Sequence, residues 1–117
     1  MSVIKINGIK NYAFHGHLPE EAVLGGQFIT SIQITLDTRK VEKTDELNDT
    51  IDYVQVINIV KNQMKIRSKM IEHVARRIVD KILELEKVES VRVEVEKVQP
   101  PVDAVFSNIS VVSEGKN

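Results

Sequence analysis

Residues 71–101 read IEHVARRIVDKILELEKVESVRVEVEKVQPP, and the fold is decided within them. In the first half, Ile71, Val74, Ala75, Ile78, Ile82 and Leu85 recur at helical spacing, which predicts an amphipathic helix with one buried stripe. Arg76, Arg77, Asp80 and Lys81 fall on the other side and read as a solvated face. At Val91 the period drops to two. Val91, Val93 and Val95 alternate with Arg92, Glu94 and Glu96, which predicts a strand over Val91–Val98 with one apolar and one polar face. Lys97 breaks the pattern, because its parity is that of the valines.

Upstream of this stretch, Tyr53, Ile57, Val60 and Met64 fall at helical spacing and predict another helix from about Asp52 to Ile66, capped by Asp49 or Thr50. A break near Arg67 and Ser68 separates the two helices. Further upstream, two segments read as strands. Val3–Phe14 is interrupted at Gly8, where a bulge or bend is expected. In Gln27–Asp37, Phe28, Ile32, Ile34 and Leu36 share one parity, and Ser31, Gln33, Thr35 and Asp37 the other. HGHLPEEAVLGG (15–26) and RKVEKTDELNDT (39–50) read as loop and turn. After Pro100 and Pro101, Ala104–Val112 predicts a fourth strand. The order ββααββ argues a single α+β domain over residues 1–117, a four-stranded antiparallel sheet with both helices on one face. Its other face is polar and its edges are open. Closing several such sheets into an oligomeric barrel would remove the edges and enclose that face.

Composition narrows the function classes. Lys and Arg number 16 against 17 Asp and Glu, a net charge of −1, so no basic excess points to nucleic acid. No apolar run is long enough to span a bilayer. The opening MSVIKINGIK mixes charge into its apolar positions and does not read as a secretory leader, so the expected location is the cytoplasm. Cysteine is absent, which removes disulfides, thiol nucleophiles and cysteine-based zinc sites. No GxGxxG, P-loop or GxSxG pattern occurs, so nucleotide-phosphate binding and serine hydrolysis have no support. The aromatic residues are few (Tyr12, Phe14, Phe28, Tyr53 and Phe106), which leaves the core to Ile, Val and Leu.

Several residues carry chemistry in one reading and none in another. Lys97 on the apolar side of its strand must snorkel to solvent, pair with a carboxylate, or sit partly desolvated as a usable base. Parity alone favours snorkelling. Glu72, in the first turn of its helix beside Ile71, is suited to accept paired N–H bonds from an amidine-like edge, yet acids are common at that position. Tyr53 reads either as a core aromatic on its helical stripe or as a ring stacked on a flat heterocycle. Glu21 is a solvated loop acid or, with Gly25 and Gly26 letting the loop fold close, a ligand contact. His15 and His17 could share one side of a strand and bind zinc. A catalytic site wants a third ligand, however, and His73, the only other histidine, lies on a helix. No metal is expected.

Taken in order, NYAFHGHLPEEAVLGGQF (11–28), KTDELNDTIDYVQV (43–56), SKMIEHVARRI (68–78) and VEVEKVQPP (93–101) resemble dihydroneopterin aldolase across nearly the whole chain. The specific pieces are the FHG turn with a following glutamate, TIDY, IEHVA, and a lysine shortly before PP. The resemblance implies the tunnelling fold: four subunits closing their sheets into a ring, two rings stacking into a homo-octamer, and active sites between subunits. It implies a lyase of folate biosynthesis that splits the pterin 7,8-dihydroneopterin into 6-hydroxymethyl-7,8-dihydropterin and glycolaldehyde, with no cofactor. By the resemblance, Glu72 and the backbone at Ile71 bind the amino-pyrimidine edge, and Tyr53 stacks with a role in proton relay. Glu21 contacts the side-chain hydroxyls, and Lys97 is the general acid/base. The stretches LGGQF (24–28) and VDAVFSNISVV (102–112) depart from the family's usual pattern and bear on side-chain specificity. The rival readings are a dihydroneopterin (triphosphate) epimerase, a zinc-dependent lyase like 6-pyruvoyl-tetrahydropterin synthase, and a non-catalytic scaffold.

Overall fold

Alternating branched residues form strands when one parity can be buried, and in the computed structural model, which describes residues 1–117, four strands do so. They are β1 (Ser2–Ala13), β2 (Gly26–Leu36), β3 (Ser90–Lys97) and β4 (Ile109–Lys116). They form one antiparallel sheet in the order β1-β2-β3-β4. On β3, Val91, Val93 and Val95 are buried, and opposite them on β2 lie Ile34, Ile32 and Thr30, buried as well. Gly8 does what an isolated strand glycine is expected to do. The register shifts between Ile6 and Ile9, Gly8 takes φ +73°, and its N–H donates to Ser31 Oγ at 3.1 Å. The extra residue switches the inward parity, so Ile4 and Ile6 before it and Ile9 and Ala13 after it all face the core.

Two helices cover one face. The helix Tyr53–Met64 (α3, counting the two short ones below) packs on β1, and Ile71–Leu83 (α4) packs on β3, β4 and α3. The α4 stripe is the predicted one with Val79 added; only Leu85 falls beyond the helix, where it packs on the core from a half-buried position. Gly115 on β4 lets α4 come close, since a methyl there would press on Val79 and Leu83.

Several expectations are corrected. The cap of α3 is Asp52, whose carboxylate accepts from the Val54 N–H at 2.9 Å, not Asp49 or Thr50. The buried stripe of α3 is Val56, Val60 and Met64, and Tyr53 lies outside it. The two polar stretches each hold a six-residue helix, α1 (Pro19–Leu24) and α2 (Arg39–Thr44), with a 3₁₀ turn at Leu47–Asp49. Neither short helix buries a residue, so no apolar period marks it. The fourth strand runs Ile109–Lys116, later than Ala104–Val112. Residues 102–108 are exposed, whereas the polar SEGK end pairs with β3 as a half-covered edge. Arg77, read as a solvated residue, is half-buried and donates to Gln63 Oε1 at 2.6 Å, to the Ile66 carbonyl at 2.7 Å and to Ser68 Oγ at 2.9 Å.

Candidate active site

Lys97 ends β3 directly opposite Phe28 of β2, so its side chain sets out along the core face. It does not snorkel. Nζ donates to Glu21 Oε2, and the two side chains are 17% and 12% exposed. Glu21 arrives through α1. Pro19 at the first turn pre-sets the helical backbone, and Glu21 Oε1 accepts from the Leu18 N–H at 3.2 Å, closing the turn from within. Burial works to raise the Glu21 carboxyl. Hydrogen bonds from Lys97 and the Leu18 amide, with the charges of Lys97 and His17, outweigh it and hold the group below the usual glutamate value. The result is a carboxylate and an ammonium in direct contact in a partly desolvated place.

This pair lines two recesses. One is lined by Glu21, Lys97, Ile71 and Glu72, with Pro100 and Pro101 forming part of its wall. Glu72 is exposed in the first turn of α4, open to a ligand, and Ile71 beside it is buried. The other recess also holds Glu21, Lys97 and the two prolines, and adds His15, Phe28 and the backbone of Gly25 and Gly26. Four of the five residues to which the resemblance gives a role, Glu21, Ile71, Glu72 and Lys97, therefore meet in one cleft. Tyr53 does not. It stands 61% exposed at the start of α3 and lines neither recess.

The FHG turn is held by residues that no sequence pattern singled out. Arg67 Nε donates to the Phe14 carbonyl at 3.0 Å and its Nη2 to the Gly16 carbonyl at 2.6 Å. The Ser68 N–H donates to His15 Nδ1 at 3.0 Å, and the Gly16 N–H donates to the Ser68 carbonyl at 3.0 Å. The Ser68 hydroxyl bonds His73 Nδ1 at 2.8 Å and accepts from Arg77 at 2.9 Å. Only the unaccounted helix break at Arg67 and Ser68 hinted at this staple.

His15 is buried edge-on to Phe28, with ring centroids 5.1 Å apart. Burial, helped by the charges of Arg77, Lys97 and Arg67, pushes its pKa down to about 4, so it is a neutral imidazole near pH 7. Its Nδ1 is occupied as an acceptor, whereas His17 is exposed. The two histidines thus occupy different environments, and no group of three or more His, Asp or Glu is placed to hold a metal ion.

In chemical terms the cleft offers a lysine side chain, a carboxylate within hydrogen-bond reach of it, and a second carboxylate at a helix N-terminus. That set suits orienting a polar heterocycle and moving protons at a substituent.

Comparison with known proteins gives a consistent picture. Residues 4–114 match the family described as dihydroneopterin aldolase. A probable dihydroneopterin aldolase of Synechocystis is 34% identical over 103 residues, covering 87% of each chain. The dihydroneopterin aldolase of Staphylococcus haemolyticus is 38% identical over 81 residues, 68% of this chain and 96% of that one. Among solved structures, E. coli dihydroneopterin aldolase in complex with neopterin superimposes with a TM-score of 0.89 at 22% identity, covering 98% of this chain and 99% of that one. A uricase from Bacillus fastidious shares the fold at a TM-score of 0.64 and 10% identity, with this chain spanning 43% of it.

Proposed function

The chain belongs to the dihydroneopterin aldolase family, and from that premise we propose how its residues divide the labour of the reaction. The reaction is a lyase step of folate biosynthesis, the retro-aldol cleavage of 7,8-dihydroneopterin. As the carbon–carbon bond of the side chain breaks, its electron pair flows into the C=N bond of the dihydropterin ring. The hydroxyl on the departing carbon gives up its proton as the terminal fragment leaves as glycolaldehyde. The ring-bound carbon then takes a proton as the electron pair returns and the C=N bond re-forms. Because the substrate supplies its own electron sink, the protein's task is to orient the ring and move two protons.

In the proposed division, Glu72 and the Ile71 backbone take the amino-pyrimidine edge. Glu21 contacts the side-chain hydroxyls. Lys97 exchanges protons as a general acid/base and forms no Schiff base, and the chemistry needs no metal. The observation that carries this reading is the Lys97–Glu21 pair, held on the core side of β3 in the cleft that also presents Glu72. Tyr53 would stack on a pterin bound mainly by a neighbouring subunit. Its exposure, and its place outside the lining of its own chain's cleft, support that arrangement. The open edges of β1 and β4 and the exposed Val102, Val105 and Phe106 support assembly into a ring, proposed as tetrameric and stacked into an octamer in the cytoplasm.

Incubation with 7,8-dihydroneopterin, with and without a chelator, followed by product identification, tests the reading. The expected result is release of glycolaldehyde that survives chelation. Loss of release on chelation, restored by added metal, would contradict the metal-free mechanism, and isomer formation without glycolaldehyde would make the chain an epimerase.

A further inference from the structure

We propose that Gly16 is a positioning residue for the reaction: by having no side chain, it leaves the space in which the Glu21 carboxylate lies against Lys97. A methyl built on Gly16 would overlap the carboxylate carbon of Glu21 and both of its oxygens, and nothing else crowds it more closely. The carboxylate therefore packs on the bare α-carbon of Gly16 on one side and accepts from Lys97 Nζ on the other.

Two features stop the backbone from absorbing a side chain at this position. Gly16 sits at φ +144°, a conformation that L-residues rarely adopt. Four hydrogen bonds, three donated by Arg67 and the Ser68 N–H and one accepted by the Ser68 carbonyl, also tie Phe14, His15 and Gly16 to the segment between α3 and α4. What can yield is the far end of the flexible Glu21 side chain, and in yielding it leaves Lys97. Gly16 thus acts on Lys97 through Glu21 alone, with Arg67 holding it in place. This inference rests on the reading of the Lys97–Glu21 pair given above.

The alternative is that Gly16 serves only the turn. A double-mutant cycle separates the two, with turnover of 7,8-dihydroneopterin as the readout. Gly16→Ala is expected to lower kcat about tenfold or more in the natural background and less than about twofold in a Glu21→Ala background, because coupled sites are non-additive. Binding of a pterin without the side-chain hydroxyls, followed by fluorescence, should change little in Gly16→Ala, because only the Glu21 end of the cleft is disturbed. If Gly16→Ala does not fold, Arg67→Ala carries the same test, with its cost in turnover expected to vanish once Glu21 is removed. Equal losses in both backgrounds would overturn the inference. Full turnover in Gly16→Ala while Glu21→Ala is impaired would overturn it alone, whereas full turnover in Glu21→Ala would overturn the reading of the pair and the inference with it.

Discussion

The two ends of β3 are built on different physics. From Val91 to Val95 the strand is held by apolar burial against Ile34 and Ile32 on β2 and against α4, where Ile78, Val79 and Ile82 are fully buried. Many partners share that load, and no single polar contact fixes it. At Lys97 the same face of the same strand turns polar, and position is set by a few specific bonds: Lys97 to Glu21, Leu18 to Glu21, and Arg67 and Ser68 to the FHG turn. The apolar end determines where the strand lies. The polar end determines what its last side chain can do. Damage at the first should therefore appear as lost stability, and damage at the second as lost function or a changed pH response.

Ile78→Ala should test the apolar end most severely. Emptying this buried position is expected to cost about 4 kcal/mol of stability. Urea unfolding at one fixed protein concentration would show it, while turnover per folded molecule stays near normal. A cost under about 1 kcal/mol would mean that the α4–β3 interface is looser than its burial indicates.

The polar end predicts a pH effect centred on His15. Its folded pKa of about 4 lies below the ordinary 6.5, so the unfolded chain binds the proton more readily. The stabilisation is fully present above pH 6.5 and is lost as pH falls toward 4, by about 3 kcal/mol across the window. Unfolding free energies measured from pH 7.5 to 4 should show this slope, and His15→Gln should flatten it. An unchanged slope in the variant would assign the effect to other groups.

The smallest effect is expected at a feature outside both ends. Asp52→Ala removes the one side-chain cap of α3 and should cost about 1 kcal/mol, visible as a modest fall in Tm with Lys97 chemistry untouched. A fall in turnover larger than the loss of folded protein would show that the cap also positions Tyr53 for the neighbouring subunit's site.

The contrast between the two ends also explains how far the sequence could be read. Burial of one face writes a period into the chain, so β3, β2 and α4 are legible from Val91–Val95, Phe28–Leu36 and the Ile71–Ile82 stripe. β4 is displaced because Val105 and Phe106 are apolar without being core, while Ser113–Lys116 pair as a strand without being apolar. Parity showed that Lys97 was misplaced but not what held it. Its partner Glu21 is 76 residues away in a helix too short to show a period. Arg67 binds the carbonyls of Phe14 and Gly16, and Ser68 reaches His15 through its own backbone N–H; a backbone atom in a bond leaves no mark on its residue's identity. The order of the FHG, TIDY, IEHVA and lysine-before-PP pieces linked those residues where pattern could not.

Lys97→Ala tests the central claim most directly. Turnover of 7,8-dihydroneopterin is to be measured beside neopterin binding and Tm on the same preparation. A general acid/base contributes roughly 10²- to 10⁴-fold, so kcat should fall by that order while binding stays close to that of the natural chain and Tm drops only as far as the unpaired Glu21 carboxylate requires. Turnover within a few-fold of the natural chain would remove Lys97 from the mechanism.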